Sequence, residues 1–208
     1  NAGLDFTVQK APAGYMNHRG DFIHHKGHSV TYRDDTGQAL GNVGSTYKVY
    51  QNNDVLKVFD RLVGEGKVEY DRIGMIDGGR KGFASMLMPE GFSIAGWDDI
   101  DQYLYAIWSH DGSSGVRFLP TNIRPQCTNQ FAYLESLMKD AGINPRSLSC
   151  RHSSRIDERI NQALEALKVT DHLNHHFASQ ASKLMEVEME IGDRIQYYID
   201  AMGLKTEE

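Results

Sequence analysis

Cysteine is scarce: Cys127 and Cys150 are the only two among 208 residues, with no CxxC spacing and no histidine at zinc-finger distance. A disulfide scaffold and a zinc module are thereby excluded. One disulfide stays open, although two lone cysteines in a chain with enough apolar residues for a core are expected to be reduced thiols. Long apolar runs are missing too. None approaches the roughly 18 residues of a membrane helix, so no bilayer span is expected and a cytoplasmic location is. Positive charge is in deficit, with 22 Lys and Arg against 28 Asp and Glu for a net charge of −6. That balance argues against the overall basic footprint of most nucleic-acid modules. Nucleotide and nucleophile signatures are absent as well. The stretch from Gly74 to Gly82 is glycine-rich, but it lacks the Gly-Lys-Ser/Thr ending of a P-loop and does not open a helix. No Gly-x-Ser-x-Gly elbow occurs. The opening Asn1 in place of Met leads us to expect residues upstream.

What is present suits a globular chain. Hydrophobic residues make up 40% and charged residues 24%, and a chain this long buries about 70% of its unfolded surface. The acidity is uneven: from Arg151 onward there are 7 basic and 11 acidic residues, against 15 and 17 before it. Local basic surface in the first 150 residues is therefore possible.

The pattern along the chain reads as α+β. Phe6 and Val8 alternate before Ala11-Pro12-Ala13-Gly14 breaks the run, and a second extended piece covers His28 to Arg33. Leu40 to Tyr50 reads as strand. Asn52 or Asn53 can cap a helix with the stripe Val55, Leu56, Phe59, Leu62 and Val63, ended by Gly64 or Gly66. Lys67–Ile76 and Lys81–Met88 form a hairpin about Asp77-Gly78-Gly79-Arg80, whose glycines suit positive φ. Tyr103–Ser109 and Val116–Ile123 form another around His110–Ser114. The continuous apolar run of Tyr103–Trp108 suits a strand covered on both faces, and a helix of that length reads alike. A helix is expected after Thr128. Ser154 with Asp157 resembles a capping box, and Thr170 can start a last helix reaching Met202, apolar at steps of three and four. The fold class is thus an antiparallel β-meander packed with helices and a helical C-terminal third. A mixed core would span 1–152, and a helical extension, packed on the core or used for oligomerisation, 153–208.

Chemistry-bearing residues fall into two groups. The histidines His24, His25 and His28 cluster, and His172 and His176 lie one helical turn apart; both sets read as surface residues. His110 and Asp111 at a hairpin tip, joined by His152, could form a metal or acid–base site if the fold brings them together. The second group is basic and aromatic: Tyr47, Lys48 and Tyr50 before the first helix, Arg80 and Lys81 on one hairpin, Arg117 and Arg124 on the other, and Arg151 at the start of the helical part. Single-strand binders combine cations that track phosphates with rings on which bases stack.

Several segments resemble a known family. Ala2-Gly3-Leu4-Asp5-Phe6, the run Leu40–Asn52 with its Tyr-Lys-x-x-Gln-Asn ending, Gly78-Gly79-Arg80, Ser109-His110-Asp111-Gly112-Ser113, and Arg124-Pro125-Gln126-Cys127-Thr128-Asn129 are similar to the phage- and plasmid-borne proteins catalogued as domain of unknown function 932. The resemblance runs from residue 2 to about residue 170. It implies a mobile-element setting, and the family carries no reaction from which a catalytic residue could be transferred. The order of strands and helices also resembles the cores of phage single-strand annealing proteins.

The resulting expectation is a DNA-binding protein without a cofactor, a homo-oligomer that binds and anneals single strands through Tyr47, Lys48, Tyr50, Arg80, Lys81, Arg117, Arg124 and Arg151. The alternatives are a metal-dependent nuclease or hydrolase built on His110, Asp111 and His152, and a counter-defence or adaptor protein.

Overall fold

The computed structural model describes residues 2–89, 91–94, 98–122, 136, 138–140, 142, 144, 149–150, 156–188 and 190–202. Its first unit is a three-stranded antiparallel sheet of β1 (Val8–Met16), β2 (Phe22–Arg33) and β3 (Ala39–Gly44), in that order. Pro12 does not end β1, as the sequence suggests, but pairs with Ser29. A proline cannot donate to a ladder, and β1 is an edge strand, where that costs little. β2 likewise begins six residues before His28. β3 stops at Gly44, so Tyr47 and Tyr50 lie in the link to the first helix rather than on a strand.

That helix, α1 (Asn52–Gly64), buries Val55, Val58, Phe59 and Leu62 at steps of three and four. It closes where the Glu65 N–H reaches Arg61 O, and Gly66 follows at φ 68°. A five-stranded antiparallel sheet comes next, ordered β10-β9-β8-β5-β4, with β4 (Glu69–Ile76), β5 (Lys81–Leu87), β8 (Tyr103–Ser109), β9 (Val116–Thr121) and β10 (Ser149–Cys150). Asp77, Gly78 and Gly79 turn β4 into β5 with φ of 53°, 67° and 97°, the positive values for which glycine is suited. β6 (Phe92–Ile94) and β7 (Asp98–Ile100) form a small separate hairpin.

β8 is the centre of the sheet and all seven of its residues are buried. Its continuous apolar run is therefore a strand covered on both faces. On one face the Phe59 ring meets Trp108 and Phe118 at centroid distances of 6.4 and 6.2 Å. Fully burying a large apolar side chain is worth about 1.5–3 kcal/mol, so these three rings anchor α1 to the sheet. Gly82 pairs with Trp108 across β5 and β8, and a Cβ there would lie 2.6 Å from the indole nitrogen. Close strand–indole packing thus requires a residue without a side chain.

A 30-residue helix, α2 (Ile156–Met185), packs Ala163 and Ala166 into the same core. Thr170 does not start a helix: it lies inside α2, its hydroxyl donating to Ala166 O at 3.3 Å. The helix instead breaks after Met185 and resumes as α3 (Ile191–Met202). The apolar stripe ends exposed at Leu184, Val187, Ile191, Ile195 and Tyr198. Among the described residues no helix is long and apolar enough to cross a membrane. Of the helix expected after Thr128, residues 136 and 138–140 are helical; Ser154 and Cys127 lie outside the described residues.

Candidate nucleic-acid interface

The Tyr-Lys-x-x-Gln-Asn and Ser-His-Asp-Gly segments, distant in sequence, meet where the two sheets join. Gln51 is the N-cap residue of α1 but makes no side-chain cap bond. Its amide instead mimics a strand residue, accepting from Val8 N and donating to Val8 O, both at 2.9 Å. Asn52 is the first helical residue, not a cap, and is 1% exposed. Its Nδ2 donates to Leu4 O at 3.2 Å, while its Oδ1 accepts from Trp108 Nε1 at 3.1 Å and lies 2.8 Å from His110 Nε2. An indole N–H can only donate, so the Asn52 atom facing it is the oxygen. His110 Nε2 must then carry a hydrogen to donate to the same oxygen.

The rest of the Ser109–Gly112 segment is held equally closely. His110 N donates to Arg80 O at 2.7 Å, its carbonyl accepts from Thr31 Oγ1 at 2.7 Å, and its ring meets Phe6 edge-on at 6.1 Å. Gly41 of β3 packs on Asp111, where a Cβ would lie 2.7 Å from the Asp111 carbonyl oxygen. Tyr47 donates its hydroxyl to Ser109 O at 3.3 Å. Burial, with the nearby Asp111 charge as a second cause, raises the Tyr47 pKa far above that of a free phenol. Burial also pushes Asp111 upward, but bonds from Ser113 and Ser109 and the charge of Lys81 outweigh it and hold the carboxyl below its ordinary range.

This geometry assigns His110 to the core. Its ring is 1% exposed, out of reach of a substrate proton, and general-base work requires such reach. His152 lies outside the described residues. Among the described residues no group of three or more His, Cys, Asp or Glu is placed to hold a metal ion.

The basic and aromatic set divides. Lys48 and Arg80 are exposed, and Lys81 is partly exposed with its ammonium 3.7 Å from Asp77. Lys81 pairs with Ser109, and Arg117 with Ile107, so both project from the same face of the sheet. Strand spacing and rise put their backbones about 12 Å apart. Tyr50 does not belong with them: at 1% exposure it is part of the core under α1 and cannot stack on a base. Arg124 and Arg151 lie outside the described residues.

One exposed element escapes the sequence reading. The far half of the β1–β2 hairpin displays Tyr15, Met16, Phe22 and Ile23 at 60%, 62%, 49% and 38% exposure. Its signal was the pairing of Gly14-Tyr15-Met16 with Phe22-Ile23-His24 about a polar turn, obscured by the apparent breakers Pro12 and Gly14. The near half of the same hairpin is tied to the link after β3, since Lys10 Nζ donates to Ser45 O and Tyr47 O at 2.8 and 2.7 Å.

A cavity of about 370 Å³ between β9 and α2, lined by Thr121, Met138, Leu173, His176 and Phe177 among others, presents mainly apolar surface. In comparisons with known proteins, a family model described as a domain of unknown function (DUF932) matches residues 39–208. No curated protein and no solved structure gives a significant match.

Proposed function

The chain belongs to the DUF932 family of domains of unknown function, and we propose that it is a phage or mobile-element protein that binds single-stranded DNA and anneals it. One observation carries this reading. In a chain of net charge −6, cations line a connected edge running from Lys10 through Tyr47 and Lys48 to Lys81 and Arg80. Phosphates are neutralised there, and binding is mainly electrostatic and salt-sensitive. Arg117, on the face that Lys81 shares, extends the track. Annealing brings two loaded strands together, which suits a homo-oligomer in the host cytoplasm. The exposed apolar residues of α3, Ile191, Ile195 and Tyr198, offer surface for it. The same exposed helix supports a second reading, an adaptor that binds another protein through α3; that reading predicts no affinity for DNA at any salt.

The test is the triple variant Lys48→Ala, Arg80→Ala, Lys81→Ala. If three phosphate contacts are lost, the slope of log affinity against log salt becomes shallower by about 2 for a single strand. An unchanged slope with unchanged affinity removes this edge from the interface.

A further inference from the structure

We propose that the exposed half of the β1–β2 hairpin is a stacking arm, on which bases of the bound single strand lie against Phe22 and Tyr15; the inference rests on the single-strand reading above. The arm precedes the residues matched by the family model.

Its geometry is that of a bent, built element. Pro12 pairs with Ser29 but Gly14 pairs with His24, so residues 25–28 bulge opposite Ala13 and separate the tip from the sheet. Bulges bend and twist a strand pair, and beyond this one Tyr15, Met16, Phe22 and Ile23 are all exposed. A two-stranded ribbon alone is marginal in water, so the tip needs its own fastening. Asn17 supplies it: its N–H donates to Asp21 O, and its Oδ1 accepts from the N–H groups of Arg19 and Asp21, all at 2.9 Å.

The rings are presented rather than packed away. Phe22 lies across Gly14, where a Cβ would come within 2.6 Å of its ring, and His24 meets it edge-on at 5.0 Å. One side of Phe22 is thus held by the strand while the residue stays 49% exposed. Tyr15 pairs with Ile23, and by strand alternation both project from the opposite face to Phe22. The arm therefore offers an aromatic surface on each side, as a wedge between neighbouring bases would.

Charge selects the partner. Residues 8–28 carry Lys10, Arg19 and Lys26 with Asp21 as their single acid, and four of the nine histidines of the chain, inside a protein of net charge −6. Exposed rings among cations match a polyanion whose bases are free to stack, because every base offers a π-face.

The experiment uses the full chain with two single-stranded oligonucleotides of equal sequence, one end-labelled for affinity and one carrying 2-aminopurine. Tyr15→Leu with Phe22→Leu keeps the apolar bulk and removes the rings. The expected result is a loss of affinity of roughly 10- to 100-fold with an unchanged salt slope, and loss of the 2-aminopurine response on binding. Arg19→Ala with Lys26→Ala instead makes the salt slope shallower. Because these side chains lie outside the core, thermal melting should match the parent within a few degrees. If the ring variant binds as the parent does, the arm is not a stacking surface, although the single-strand reading stands. If the parent itself binds no oligonucleotide, that reading falls and the arm with it. If the ring variant loses affinity only as its oligomer dissociates in light scattering, the arm is a contact between copies of this chain and the inference is overturned.

Discussion

Replacing Asn52 by leucine should be among the most damaging single changes available in this chain. The side chain is 1% exposed and connects three segments: Leu4 at the start of the chain, Trp108 on the central strand, and His110 beyond it. Leucine has similar volume but no acceptor, so the Trp108 and His110 N–H groups lose the oxygen that both face. A buried donor left without its acceptor costs roughly 1–3 kcal/mol, and added apolar contact returns about 1 kcal/mol. For two stranded donors the net expectation is a loss of about 1–5 kcal/mol, which in a domain of this size lowers Tm by roughly 2–20 °C. The α1 cap is not a confounding factor, because the N-cap residue is Gln51. Urea unfolding followed by tryptophan fluorescence measures the change, and a cycle with Trp108→Phe isolates its cause. Phenylalanine removes one of the stranded donors, so the double variant should be less destabilised than the sum of the singles by about 1 kcal/mol. Strict additivity, or a single-variant loss below about 1 kcal/mol, would refute the argument that Asn52 holds the joint.

Gly82→Ala places a methyl group against the Trp108 indole and should cost about 1–3 kcal/mol by overpacking, read as a lower urea midpoint with unchanged slope. Asp111 has its carboxyl pKa held down in the folded protein, so it stabilises the fold above the unfolded value of about 4, and this contribution drains away as pH falls through the lower folded value. Asp111→Asn should therefore be less stable than the parent at pH 7, with the gap closing below about pH 4; a gap that does not vary with pH would contradict this. Stability measured at both pH values decides it.

Much of the fold was legible because period and punctuation agreed. The stripe of Val55, Phe59 and Leu62 between polar and glycine ends gave α1, and Asp77-Gly78-Gly79 gave the turn between β4 and β5. The apolar run of Tyr103–Trp108 left helix and strand open, because periodicity cannot separate two buried forms; pairing with β5 and β9 decides for strand. Three misreadings have a common origin in tertiary context. Asn52 reads as a cap because asparagine is a good one, yet a buried indole N–H draws its side chain inward. Thr170 reads as a helix start, but its hydroxyl is satisfied by the carbonyl one turn back, so the helix continues. Tyr50 reads as exposed because alternation does not say which face of a link points to the core. The cations Lys48, Arg80 and Lys81 were singled out by residue type alone, whereas the nearness of Lys81 to Tyr47 through Ser109 depends on sheet register. The arm was missed because Pro12 and Gly14 are breakers in the middle of a sheet and are tolerated on an edge strand.

The central claim is single-strand binding, and its most direct test is the affinity of the unmodified chain for labelled single-stranded and duplex oligonucleotides across a salt series, followed by the annealing rate of complementary strands. The account predicts preference for the single strand, affinity that falls steeply as salt rises, and faster annealing in the presence of the protein. Absence of binding at low salt, or equal affinity for both forms without faster annealing, would contradict it.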